Sequence, residues 1–266
     1  SKSSRGQKIN FSDVKKKALE LNIPILQPEK LKNDKDAIEK LKQVNPDFII
    51  VVAYGQILTK EILSIPKKAC INGHASLLPK YRGASPIQSA ILNGDKVTGT
   101  TAMLMEEGLD SGAILKQTEL TIDKKETAGS LFDKLSYLTA DALLYSIKNF
   151  DSIKPCIQDE SKVSKCAIIK KEYGKIDFAN EDAESLERKI RAYNPWPGAY
   201  TDDLKIWDAD VIDISTDGLK QYKDNIYIKG QELYAKCKDG YLRLNIVQKP
   251  GKNKVYAKDF INGIKN

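Results

Sequence analysis

Residues Asp47–Tyr54 read DFIIVVAY, an apolar run with no polar alternation. A strand with one face in water alternates. An unalternated run reads as a parallel strand buried on both faces, which requires helices packed on both sides of a sheet. The neighbouring segments supply them. Phe11–Leu21 predicts a helix with Ser12 or Asp13 near its N-cap and Val14, Ala18 and Leu19 on one face. Ile23–Leu26 predicts a short strand, and Asp34–Gln43 a helix with Ile38 and Leu41 inward. Thr59–Leu63 is a short helix and Ala69–Asn72 a strand, followed by a loop over Gly73–Ser85. Pro86–Leu92 is helical, with Pro86 in the first turn where its missing N–H costs nothing. Thr98–Met105 and Ala113–Leu120 are strands, and Thr127 caps a helix running to about Asn149. Alternating strands and helices with short links give an open α/β sheet.

After Phe150 the pattern changes. Residues 151–170 have no periodicity and read as a linker. Ala183–Tyr193 is one more helix. Short strands follow at 199–201, 205–208, 211–214, 225–229, 232–237 and 241–247, with Asp217-Gly218 and Asp239-Gly240 as turn signals. This second unit reads as a small all-β barrel.

Charge separates the two units. Residues 220–266 carry 11 lysines and arginines against four acids, whereas residues 1–219 balance at 32 of each. The net charge of +7 is therefore confined to the C-terminal unit, and a localised basic surface suits a polyanion such as nucleic acid. Tyr222, Tyr227, Tyr234 and Tyr241 interleave with these lysines, as barrel core or as stacking surfaces for bases. No stretch approaches the roughly 18–20 apolar residues of a membrane span, and the first residues have no signal-peptide core, so a cytoplasmic protein is expected. The four cysteines form no C-x-x-C pair and His74 is the sole histidine, which excludes two-imidazole mechanisms and predicts no metal site.

The densest cluster of polar chemistry is Asn72–Gly83, just past a predicted strand, where open α/β sheets build their sites. Asn72 and His74 are two apart and can project to the same side of extended backbone. Two converging donors can stabilise an oxyanion, although a loop histidine can equally be structural. Asp110, in the turn Glu106–Gly112 at another strand end, can reach the same edge to orient the imidazole or accept a proton. No phosphate-cradling glycine loop and no G-x-S-x-G elbow is present.

At these loops, N-G-H-A-S-L-L-P-K-Y-R-G-A-S-P-I-Q (72–88) and M-E-E-G-L-D-S-G (105–112), the sequence resembles the 10-formyltetrahydrofolate-dependent formyltransferase family. Further matches at 53–58 (AYGQIL), 158–163 (QDESKV), 170–177 (KKEYGKID) and 191–199 (RAYNPWPGA) resemble its methionyl-tRNA formyltransferase branch, nearly end to end. The resemblance implies a Rossmann-like open α/β formyltransferase domain over 1–150, a linker over 151–170 and a small OB-like β-barrel binding tRNA over 171–266. It implies transfer of a formyl group from 10-formyltetrahydrofolate to the α-amine of initiator methionyl-tRNA, and a monomer without a metal is expected. Asn72, His74 and Asp110 fall on the family's catalytic positions, and Ser76, Leu77, Leu78 and Pro79 on its folate-contacting stretch. Arg5 and Lys8 fall in a basic loop that grips the tRNA acceptor stem, and Lys249, Lys252 and Lys254 lie in the basic segment. The family opens with a strand and glycine turn before that loop. The 266 residues start inside the loop, so a catalytic sheet one strand short is expected.

Two rivals follow from the same residues. Another folate-dependent formyltransferase, acting on a sugar nucleotide, would keep 72–112 without needing a basic C-terminal unit. A non-catalytic RNA-binding protein would keep the basic unit and tolerate changes at Asn72, His74 and Asp110.

Overall fold

A computed structural model of the chain describes residues 11–265. Helix α1 (Asp13–Glu20) begins where Ser12 accepts a hydrogen bond from the Lys15 N–H, and α2 (Lys35–Val44) where Asp34 accepts from Ala37. Strand β1 (Phe48–Val52), helix α3 (Lys60–Leu63) and strand β2 (Ala69–His74) follow. A two-residue strand β3 (Arg82–Gly83) leads to α4 (Pro86–Leu92), then β4 (Val97–Leu104), β5 (Ile114–Thr121) and the long α5 (Ala128–Lys148). The expected cap of α5 is a full capping box, Thr127 and Ser130 exchanging side-chain and backbone bonds.

The first sheet has the order β1-β2-β4-β5. Only β1 and β2 are parallel, while β2-β4 and β4-β5 are antiparallel, giving a mixed sheet. Helix α5 seals one side: Ala142 and Leu143 pack with Ile71, Ala102 and Leu115. A buried hydroxyl pair, Thr100 to Thr139 at 2.7 Å, joins β4 to α5, and Thr100 Oγ1 also donates to the His74 carbonyl at 3.1 Å. The helix face is thus tied to the end of β2, where the polar cluster begins.

Three expectations for this sheet are corrected. The Asp47–Tyr54 segment does form a parallel strand, but it is not buried on both faces. Among the described residues β1 ends the sheet, and Ile50 and Val52 are 40% and 54% exposed. Ile23–Leu26 is extended but pairs with nothing among the described residues, so it is not a strand. The loop expected from Gly73 starts later, because Gly73 and His74 pair with Ala102 and Thr101 inside β2.

Residues 151–170 carry β6 (Lys165–Cys166), which runs parallel to β3. Helix α6 (Ala183–Ala192) packs on α4 and on β8. The C-terminal strands are β7 (Ala199–Tyr200), β8 (Lys205–Ile212), β9 (Lys220–Lys223), β10 (Ile226–Lys229), β11 (Glu232–Lys236), β12 (Tyr241–Gln248) and β13 (Val255–Tyr256), followed by α7 (Ala257–Lys265). They pair in the order β7-β8-β12-β11-β10-β9, with β13 on β12. The end strands β7 and β9 share no ladder, so by its hydrogen bonds this sheet is open where a closed barrel is expected. The two short strands expected at 205–208 and 211–214 are one, β8, continuous through Asp208-Ala209-Asp210. Its inward residues Ile206 and Ala209 join Leu186, Ile190, Leu233, Leu242, Leu244 and Ile261 in the largest buried cluster.

The two sheets are joined by polar contacts as well as by α4 on α6. Arg188 Nε donates to the Leu92 carbonyl and Arg191 Nη1 to the Glu126 carbonyl, each at 3.0 Å. Lys125, ahead of α5, reaches the Ala209 carbonyl at 2.8 Å and pairs with Asp208 and Asp210. No helix among the described residues is long and apolar enough to cross a membrane.

Candidate active site

Strand β2 brings Asn72 and His74 to the same face at its carboxyl end, as the two-residue spacing requires. Both are nearly buried, at 9% and 7% exposure. The Asn72 carboxamide makes no hydrogen bond to another described residue, and its polar atoms are not among the buried unpaired ones, so they keep contact with solvent and a ligand can reach them. His74 is fixed. Its Nε2 lies 2.9 Å from the Tyr81 carbonyl, which can only accept, so Nε2 carries a proton. The other nitrogen, Nδ1, faces Asp110 Oδ2 at 3.7 Å.

The two loops that make this contact are bent into unusual backbone conformations. Tyr81 has φ +60° and Asp110 φ +50°. Aspartate tolerates the left-handed region. A tyrosine there is uncommon and needs support from its surroundings. Support comes from its own ring, whose hydroxyl bonds Asp95 at 2.8 Å and Asn93 at 3.0 Å, and from Ser164, whose Oγ accepts the Tyr81 N–H at 2.9 Å. The bend delivers the Tyr81 carbonyl to His74 and to the Cys166 thiol, 3.3 Å away. Burial pushes the Cys166 thiol up from its ordinary value, which keeps it a neutral donor. Asp110 is anchored by the Gly83 N–H, which donates to Oδ2 at 2.8 Å. Asn72 and His74 thus share a strand face, and Asp110 meets His74, as the sequence suggests.

The stretch 76–79 follows directly. Ser76 is wholly buried and its hydroxyl donates to the Lys80 carbonyl at 2.6 Å, which shapes the loop from inside. Leu78 is also buried, held by Thr101 Oγ1 to its N–H and Gln117 Nε2 to its carbonyl. Leu77 and Pro79 are the half-buried members with surface to offer. Gly99 on β4 makes room for Leu77: a Cβ there would sit 2.6 Å from Leu77 Cδ2 and 2.2 Å from the Thr118 carbonyl oxygen.

Of the residues expected to meet RNA, Arg5 and Lys8 lie outside the described residues. Lys249, Lys252 and Lys254 follow the C-terminal end of β12, ahead of β13, and none has an ion pair among the described residues. Lys249 lies 5.0 Å from the Phe260 ring centroid and Lys254 stands over Trp207. Tyr222 is half-exposed and packs edge-on to Phe260, while Tyr234 is buried in the sheet.

Comparison with known proteins fits this geometry. The family description "Formyl transferase" matches residues 2–147, and "Formyl transferase, C-terminal domain" matches residues 168–265. The methionyl-tRNA formyltransferase of Clostridium acetobutylicum is 44% identical over 265 residues, covering 97% of this chain and 84% of its own length. That of Campylobacter lari is 47% identical over 264 residues, with the same coverage of 97% and 84%. The chain belongs to the methionyl-tRNA formyltransferase family. Among solved structures, the sugar 3N-formyl transferase WlaRD, determined with dTDP and 5-N-formyl-THF, superposes with a TM-score of 0.66 at 23% identity, over 90% of this chain and 82% of that one. HypX from Aquifex aeolicus with tetrahydrofolic acid gives 0.63 at 17% identity, over 84% and 40%. At such identities these structures show that the formyltransferase fold is shared.

Sequence reading passed over Gln158, Arg82 and Ser164, whose hydrogen bonds hold the loops that carry Tyr81 and Asp110. Gln158 sits in a quoted motif, QDESKV, but its contacts with 82 and 110–112 are nearly fifty or more residues distant in sequence and leave no periodic trace.

Proposed function

We propose that the protein transfers the formyl group of 10-formyltetrahydrofolate to the α-amine of initiator methionyl-tRNA, working in the cytoplasm as a monomer. The observation that carries the chemistry is the arrangement of an unpartnered Asn72 carboxamide and a tethered His74 backed by Asp110, at the end of β2. An α-amino group has a reference pKa near 7.7–8.0, so a useful fraction is already nucleophilic at neutral pH. The amine attacks the formyl carbon, an N–C bond forms, and the formyl oxygen takes the negative charge. Asn72 and the charged form of His74 donate to that oxygen. Because Nε2 is held by Tyr81, the donor is Nδ1–H. Asp110 supplies the counter-charge and accepts the ammonium proton. Collapse of the intermediate re-forms the carbonyl, breaks the bond to N10 of the folate, and returns the proton to that nitrogen.

The folate carrier lies against Leu77, Pro79 and the backbone of 76–79. In this reading residues 1–150 carry the chemistry, residues 151–170 connect, and residues 171–266 act as an OB-like platform. Lys249, Lys252 and Lys254 on that platform, with Arg5 and Lys8, meet tRNA phosphates. Phosphate contacts position RNA without reading its sequence.

The test supplies formyl-labelled 10-formyltetrahydrofolate with initiator methionyl-tRNA and an amino-sugar nucleotide together. The reading predicts label on the methionyl ester. Label on the sugar amine alone would overturn it in favour of the other acceptor.

A further inference from the structure

Resting on the reading above, the geometry points to Gln158 as a positioning residue that sets the catalytic Asp110 against His74. Gln158 is 5% exposed and its carboxamide is fully used. Its Nε2 donates to the Asp110 carbonyl at 2.9 Å and to the Gly112 carbonyl at 2.8 Å. Its Oε1 accepts from Arg82 Nε at 3.0 Å and Nη2 at 2.8 Å. One side chain therefore ties the loop that carries Asp110 to the loop that carries the Tyr81 carbonyl. Both loops hold a residue in the left-handed region, and both touch the imidazole: Tyr81 through its carbonyl, Asp110 through its carboxylate.

Chemistry specifies glutamine here. Arg82 presents only donors and the two backbone carbonyls only acceptors, so the residue between them must accept on one side and donate on the other. A carboxylate can do the first and not the second. Arg82 is itself 6% exposed and is neutralised by Glu160 at 2.7 Å, so its charge does not depend on Gln158. Gly112 permits the approach: a Cβ on it would stand 1.9 Å from the Leu104 carbonyl oxygen, which leaves the turn no other path. Without the Gln158 donors the Asp110 and Gly112 carbonyls lose their ties, and the Gly83 N–H alone is left to hold the Asp110 carboxylate against a backbone relaxing from its φ of +50°. Misplacing a reacting group by about 1 Å costs on the order of 100-fold in rate.

His74 is the sole histidine, so the nitrogen resonances of a histidine-labelled sample report one ring without assignment. The variants are Gln158→Glu, which keeps the Arg82 contacts and loses the donors, and Gln158→Met, which loses both. The expected result is a shifted His74 Nδ1 resonance in both variants, toward that of Asp110→Asn. With it goes a fall in kcat on the order of 100-fold with unchanged KM for folate and unchanged tRNA affinity. A His74 spectrum like that of the parent, or a loss confined to thermal stability with kcat retained, would overturn the assignment. The spectrum needs no acceptor, so its outcome is separate from that of the formyl-transfer assay.

Discussion

His74 Nε2 lies 2.9 Å from the Tyr81 carbonyl, and that bond decides which nitrogen is left for chemistry. Nδ1 faces Asp110 at 3.7 Å, outside normal hydrogen-bond reach but close enough for charge to act. Asp110→Asn keeps the shape and removes the charge. Turnover is expected to fall by about 10²–10⁴-fold with tRNA affinity unchanged, as measured by formyl-transfer kinetics beside filter binding. Retained turnover would remove Asp110 from the proton path.

Gly99→Ala tests the folate-facing loop. The added methyl meets the Thr118 carbonyl and Leu77 Cδ2, and the carbonyl belongs to the paired strand and cannot yield. Overpacking of this kind costs about 1–3 kcal/mol. The expected result is a lower urea midpoint together with a raised KM for the folate donor, because Leu77 must move. A loss of stability with KM unaltered would detach Leu77 from the donor site.

The contact of Lys125 with Asp210 gives a pH dependence. Lys125, then Asn245, hold the Asp210 carboxyl far below the usual carboxylate range, with Arg243 adding to them. A folded pKa below the unfolded one means that the unfolded chain binds more protons between the two values, so stability rises with pH there. The contribution is complete above the ordinary aspartate range of about 3.9 and is lost as pH falls below it. Asp210→Asn should therefore narrow its stability gap to the parent below about pH 4, measured as Tm against pH. A gap independent of pH would show that the charge of Asp210 is not what stabilises the contact.

Lys249, Lys252 and Lys254 are predicted to act on tRNA through charge alone. Changing all of them to alanine should weaken tRNA binding and flatten the dependence of log Kd on log salt by roughly two to three. Equal loss of affinity at every salt concentration would point to packing on Phe260 and Trp207 instead.

The parts of this site that were legible from sequence are those set by local periodicity. Asn72 and His74 share a face because β2 has period two, and the turn glycines of 108 and 112 mark a strand end that places Asp110. Pairing across a sheet was not legible. The DFIIVVAY run describes a strand suited to burial, and among the described residues β1 ends the sheet and exposes Ile50 and Val52. Strand β9 (KQYK) has four exposed residues and no apolar alternation, so it exists only through its pairing with β10. The acids that seem to break β8, Asp208 and Asp210, lie on one face, where Lys125, Asn245 and Arg243 meet them. Gln158 was hidden for the same reason: its partners are far away in sequence.

The most direct measurement is the single-turnover rate of formyl transfer to initiator methionyl-tRNA by Asn72→Ala and His74→Ala, with tRNA binding measured on the same samples. Loss of one oxyanion donor is expected to slow the transfer by about 10²–10³-fold with binding intact. Transfer at the parent rate by both variants would contradict the assignment of the end of β2 as the catalytic centre.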